Sequence, residues 1–182
     1  MSIIKYIINI YSNNPKSFWL AATLGLFCVL MKIYYPKFRG FMGEFWVKLE
    51  LKKLSNKNYV VLNDIMIKDE YGTHQIDHIV LSNHGIFVIE MKNYYGLITG
   101  REYDSKWCQH LGKTKHYFMN PIYQNYGHIK TLSKLLNIDE RYFILIICFS
   151  NQAKIKVNTK NVVIQLDYLV DKILEFKEIT LA

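Results

Sequence analysis

The sequence predicts an α/β domain, a mixed central sheet with flanking helices, preceded by an N-terminal transmembrane helix. Three observations carry this expectation. Segments of strand type and of helix type alternate along residues 41–178 in the order helix, several strands, helix, strand, strand, helix. The run FILIICF at 143–149 is continuously apolar, as in a strand buried on both faces. The run FWLAATLGLFCVLM at 18–31 contains no charge.

The apolar run comes first. With Ile33, Tyr34 and Tyr35 it makes 18 residues interrupted only by Lys32. At 1.5 Å per residue that is roughly 27 Å, close to a hydrocarbon core of about 30 Å. Lys32 lies near the end and can snorkel to the headgroups. Residues 1–36 are therefore expected to be a membrane anchor, spanning at about 17–35, and residues 37–182 a separate domain. A cleaved signal peptide is disfavoured, because KIYYPKFRG follows without a small-residue cleavage site. Lys5 and Lys16 precede the span, whereas Lys32, Lys37, Arg39, Lys48, Lys52 and Lys53 follow it. The positive-inside rule puts the C-terminal domain in the cytoplasm. Residues 1–11, MSIIKYIINIY, are apolar enough to lie along the membrane.

Residues 36–40 read as a short linker and 41–54 as a helix. The stretch 59–68 is a strand rich in Val and Ile, and 69–73 a turn containing Gly72. Strands at 74–81 and 86–92 flank Ser82-Asn83-His84-Gly85, a hairpin turn by composition. Further strands are expected at 97–103 and within 106–118. Asn120-Pro121 reads as an N-cap and first helical residue, opening a helix to about 137. A last strand at 162–165 and a last helix at 166–178 complete the order.

Composition excludes several classes. Hydrophobic residues make up 51% of 182, too many for a disordered chain, and 3 Pro with 9 Gly exclude collagen-like and linker-like sequences. Cys28, Cys108 and Cys148 form no close pair, which argues against a disulfide scaffold or a Cys-built zinc site. The net charge is +8, but residues 1–40 carry five basic side chains and no acid. The remainder is mildly basic, which permits a polyanionic partner without demanding one. The excess of Lys over Arg, with abundant Ile and Asn, points to an AT-rich genome, and a bacterial source is expected.

Glu90 and Lys92 are two apart on a strand, so both leave the same face. An even-length turn centred between Asn83 and His84 would set Asp77 opposite Glu90 and Gln75 opposite Lys92, all four on that face. Opposed like charges are destabilising, so two carboxylates held together call for a cation. Mg²⁺ or Mn²⁺, bound by two oxygen ligands with positions left open, would supply it. Lys92 could orient an attacking water or stabilise developing negative charge. Glu44 heads a helical row with Val47, Leu51 and Leu54, and is either directed at the sheet or an ordinary N-terminal Glu. Gln124, in the first turn of its helix, either bonds a phosphate or a water at the metal, or is solvated. His74 and His78 read as ordinary strand histidines, and His84 as an exposed turn residue. Residues 101–134 carry six Lys/Arg against two acids. That is a nucleic-acid track or a plain basic face, with Lys106, Lys113 and Lys115 as its candidate contacts beside Gln75. Tyr94, Tyr95 and Trp107 could stack on bases or merely pack.

Gly43-Glu44, then HQIDHIVLSNHGIFVIEMKNYYGLITG at 74–100, Trp107 and NPIYQNYGHI at 120–129 together resemble the nuclease-related domain (NERD) family of the PD-(D/E)xK nuclease superfamily. The resemblance spans roughly residues 40–150 and implies a restriction-endonuclease-like fold. It implies Glu44, Asp77, Glu90 and Lys92 as active-site residues, with Gln124 in support. Where the superfamily has proline before the metal-binding Asp, Ile76 stands. The expected protein is a membrane-anchored, Mg²⁺- or Mn²⁺-dependent nuclease hydrolysing phosphodiester bonds, in DNA before RNA. Asp77, Glu90 and the backbone carbonyl of Met91 would hold the metal, Glu44 would be a further ligand or base, and Lys92 would position water. The alternative is a non-catalytic module that binds nucleic acid or protein on the same fold.

Overall fold

The computed structural model describes residues 3, 5, 12, 14–54, 57–70 and 72–177. Most of residues 1–11 lie outside the described residues. The chain divides into two compact units, Met1–Phe41 and Met42–Ala182.

Helix α1 (Pro15–Leu51) is 37 residues long. It opens where the Asn14 carbonyl accepts the Phe18 N–H at 3.1 Å, with Pro15 as the first helical residue. Its stretch Pro15–Tyr35 has mean hydropathy 1.6 and no burial, and is long and apolar enough to cross a membrane. Residues 36–40 correct the expected linker, because all five are helical within α1. Pro36 forfeits one main-chain donor and Gly40 is a poor helix former, but isolated breakers do not end a long helix when their neighbours are good formers.

In the second unit, β1 (Tyr59–Asp69), β2 (Gly72–Ser82) and β3 (Gly85–Lys92) form an antiparallel meander. Next come β4 (Gly96–Arg101), β5 (Lys106–Leu111), β6 (Thr114–Met119) and α2 (Pro121–Leu136). The chain closes with β7 (Phe143–Phe149), β8 (Ala153–Asn158), β9 (Val162–Gln165) and α3 (Leu169–Glu175). A 3₁₀ turn, Leu166–Tyr168, replaces the start expected for the last helix.

The strands make two mixed sheets, of order β1-β2-β3-β7-β9 and β6-β5-β4-β8. The pairs β3–β7, β7–β9 and β4–β8 are parallel. Each face of the first sheet is covered. On one, Val47 and Leu51 of α1 and Leu169 and Ile173 of α3 pack on Val80, Phe87, Ile89 and Met91. On the other, Ile129 and Leu132 of α2 pack on Ile79, Ile86 and Val88. This accounts for the apolar character of β3 on both faces, broken only by Glu90 and Lys92.

Helix α2 is tied down by two asparagines. The Asn120 side chain accepts the Ile122 N–H at 3.0 Å and donates to the carbonyls of Glu102 and Asp104 at 2.8 Å each. The fully buried Asn125 amide donates to the carbonyls of Val88 and Ile146 at 2.8 and 3.1 Å, bridging the parallel pair β3–β7. The second sheet encloses Trp107. Its ring stacks on Phe149 at 6.4 Å and its N–H donates to the Arg101 carbonyl at 2.9 Å, so it packs in the core and is not available to a base.

Candidate active site

The hairpin register is the expected one for five pairs, from Ser82↔Gly85 to His78↔Ile89, and the β2–β3 ladder then stops. The cause lies in β1 and β2. Asp64 has φ 58°, and the β1–β2 ladder passes from Asn63↔His78 to Ile65↔Ile76 without pairing Asp64 or Asp77. A left-handed residue inside a strand disturbs the period-2 alternation. Val61 and Val80 belong to the cluster under α1, but Ile65 and Ile76 to the cluster under α2, so the ribbon turns over between them. The expected facing pairs Asp77–Glu90 and Gln75–Lys92 therefore do not form. Gln75 is exposed and donates to Asp64 at 2.7 Å.

Asp77 instead takes up the end of the ladder. Its Oδ2 accepts the Met91 N–H at 2.9 Å, where a further β2 residue would have bonded. The N–H and C=O of one strand residue leave on the same side, so the Met91 carbonyl is directed past the ladder end beside Asp77. Glu90 stays on the α2 face. Its Oε1 accepts from Lys92 Nζ at 2.6 Å and from Gln124 Nε2 at 2.7 Å, and Gln124 Oε1 accepts from Lys92 at 3.0 Å. The three side chains close a triangle in which every polar atom used has the correct sense. An ammonium has three donors, and this ring uses two. The Lys92 side chain is 19% exposed, against 3% for Glu90.

Glu90 Oε2 is buried without a hydrogen bond, and so is His128 Nε2, 3.6 Å away. At that separation the contact is electrostatic. His128 and Gln124 are four apart on α2 and so share a face. That spacing, inside the quoted NPIYQNYGHI, was the signal that pointed to His128, a residue the sequence reading left out. Asp64 is a second residue not singled out from the sequence; its only signal there is an acid within a Val- and Ile-rich strand.

The charges are mutually felt. Burial and the charge of Glu90 raise the Asp77 carboxyl from 3.8 to about 7, against the Met91 N–H. Burial also pushes Glu90 up, but His128 and Lys92 outweigh it and hold the carboxyl below its ordinary value. Glu44 is raised by burial, then by Asp64 and Glu90, against Lys48. Its row Val47, Leu51 and Leu54 is buried against the sheet. A Cβ at Gly43 would stand 2.7 Å from Asn93 Cβ, so the missing side chain lets α1 approach the end of β3. His78 is fully buried, shares a 2.7 Å hydrogen bond with Asn63, and is lowered to about 4, chiefly by burial. His84 is half-buried, not exposed. Lys106, Lys113 and Lys115 stand exposed on the second sheet and its β5–β6 turn.

Among the described residues, no group of three or more His, Cys, Asp and Glu is arranged to hold a metal ion. The donor chemistry nevertheless suits a hard divalent cation. Glu90 Oε2 is an orphaned buried oxygen, and the carboxyl groups of Asp77 and Glu44 are both raised from their ordinary values, by burial first and then by neighbouring carboxylates. Mg²⁺ needs only one or two protein carboxylates beside water and substrate oxygens.

Residues 39–150 match the nuclease-related domain (NERD) family. An uncharacterized protein of Bacillus anthracis is 45% identical over 108 residues, 59% of this chain and 51% of the relative. The chain thus spans about half the length of that relative.

Proposed function

The chain belongs to the nuclease-related domain family, and from that premise we propose that it is a membrane-anchored, divalent-metal-dependent nuclease acting on phosphodiester bonds, with DNA as the first candidate substrate. The observation that carries this reading is the Glu90–Lys92–Gln124 triangle beside the ladder-end Asp77. A carboxylate pair and an ammonium with one donor free, 19% exposed, are the parts phosphodiester hydrolysis uses.

Asp77, Glu90 and the Met91 carbonyl would hold Mg²⁺ or Mn²⁺, with Glu44 in reserve as ligand or base. When bound, such an ion supplies Lewis acidity at a phosphoryl oxygen and lowers the pKa of water. Lys92 would offer its remaining N–H to the negative charge that gathers in the transition state. Gln124 holds Lys92 and Glu90 in one geometry, so neither reorganises as that charge develops. Pro15–Tyr35 would anchor the domain in the membrane with the site in the cytoplasm.

The alternative, a binding module without turnover, draws on the lack of a preformed three-ligand cluster among the described residues. Full-length protein in detergent, incubated with linear, nicked and circular DNA and with RNA, separates the two. Cleavage that needs Mg²⁺ or Mn²⁺ and stops in chelator supports the nuclease. Metal-independent binding without cleavage favours the module.

A further inference from the structure

A groove of about 1020 Å³ opens beside the triangle, between α2 and the far end of the β1–β2 hairpin. Gln124 and His128, which touch Glu90, form its inner end. From there it follows α2 past Gly127 and Lys130 to Lys134, with Lys68 on the opposite wall. We infer that this groove is the track for a single nucleic-acid strand leaving the site, its phosphates held by Lys68, Lys130 and Lys134. The inference rests on the nuclease reading and adds the path and the strandedness of the substrate.

Charge and space support it. Two acids line the groove, and both are engaged by neighbours. Glu70 is paired with Lys134 at 2.7 Å, and Glu140 accepts from the Tyr126 hydroxyl at 3.2 Å. Lys68 and Lys130 have no ion pair among the described residues, although Lys130 stands over the Tyr126 ring. The Lys134–Glu70 pair is exposed on both sides and therefore weak. A phosphate can take the place of the Glu70 carboxylate at little cost. Gly127 keeps the wall low, since a Cβ there would meet nothing within 4 Å. A backbone-tracking cationic groove is how proteins hold single strands without reading sequence. The exposed lysines of the second sheet, the expectation from sequence, do not line this groove.

The test is anisotropy of a labelled oligonucleotide of about 12 nucleotides, with full-length protein in detergent and EDTA so that no strand is cut. Lys68→Glu and Lys130→Glu should each weaken binding about tenfold at low salt. Each should also lower the slope of log K against log salt by about 0.7 or more per cation removed. Glu70→Gln should tighten binding two- to fivefold, an outcome that damage to the fold does not produce. Gly127→Leu, which favours the helix and leaves charge unchanged, should weaken binding at an unchanged or higher Tm. Unchanged affinity in all four variants, with losses in Lys106→Glu, Lys113→Glu and Lys115→Glu, overturns the track while leaving the nuclease reading in place. Equal affinity for duplex of the same length, or equal competition by a polyglutamate of the same charge, overturns the single-strand assignment. Absence of any nucleic-acid binding by the wild type overturns both the track and the reading beneath it.

Discussion

Asp77 has its proton bound more tightly in the folded domain, from 3.8 to about 7, by burial and by Glu90. The linkage follows from that sign. The associated stability is fully present below about pH 3.8 and is lost as pH rises through 7. Without metal, the domain should therefore be less stable at pH 8 than at pH 5. Asp77→Asn keeps an acceptor for the Met91 N–H and removes the repulsion. Its Tm should exceed wild type at pH 8 by several degrees, a gain bounded at about 4 kcal/mol by the rise from 3.8 to about 7 at about 1.4 kcal/mol per unit, and should match it near pH 4. Mg²⁺ should raise the Tm of wild type at pH 8 more than that of the variant. A variant that melts lower at every pH would make Asp77 a structural cap and nothing more. The proposed nuclease mechanism divides the residues differently. Glu90→Ala and Asp77→Ala remove oxygen donors, so calorimetric metal binding and cleavage should fall together. Lys92→Ala should keep metal binding while kcat drops about 100-fold or more. Glu44→Ala should lower cleavage less than either carboxylate change, since its place rests on helix phase and resemblance and it is less buried than Glu90. Strand spacing singled out Asp77, Glu90 and Lys92, and helix phase with the family resemblance added Glu44, but Asp77's position at the ladder end could not be read. Period-2 counting assumes an unbroken ladder, and Asp64 at φ 58° breaks it.

At the scale of elements, local chemistry was a good guide wherever it was strong. The 82–85 turn fixed the hairpin register, and Asn120-Pro121 opened α2 where expected. Strand β8 is weakly marked in the sequence although AKIKVN alternates, with Ala153 buried and the lysines exposed. Its short apolar side chains give a weak signal, and its partner β4 is distant in sequence. The division into two sheets was not legible either: the strands expected at 97–103 and within 106–118 carry no mark of which sheet they join, and the β4–β8 pairing is parallel, which leaves no turn to read. Gly43 shows what pattern alone does not convey. Replacing a helical Gly by Ala gains about 1 kcal/mol of helix propensity. Here the new Cβ would meet Asn93 Cβ at 2.7 Å, and overpacking of that kind costs about 1–3 kcal/mol. Gly43→Ala should therefore lower Tm by a few degrees and reduce cleavage, because Glu44 moves with the helix. A Tm equal to or above wild type would mean that α1 has room at this point and that the close approach does not position Glu44.

At the scale of the whole chain, the hydrophobic residues fall into two patterns. The core of residues 42–182 is buried by both faces of a sheet. In Pro15–Tyr35 no residue of the apolar window is buried, with Leu20, Leu24, Leu26 and Phe27 all exposed. Roughly 31 Å of such helix matches a hydrocarbon core of about 30 Å. Composition made this stretch legible at once, while the unbroken helix through 36–40 was not, because Pro and Gly read locally as stops. If the stretch is an anchor, full-length protein should sediment with membranes and stay there in alkaline carbonate, and removal of residues 1–36 should release a soluble domain that still cleaves. Leu24→Lys, near the centre of the span, should shift part of the protein out of the membrane fraction, since a central lysine costs about 3 kcal/mol on the insertion scale. A reporter fused to the C-terminus should read cytoplasmic, because six basic residues between 32 and 53 follow the span and two precede it. Extraction of the intact chain by carbonate would remove the anchor. A reporter on the outer side would reverse the topology and place the Glu90 site where cytoplasmic nucleic acid does not reach it.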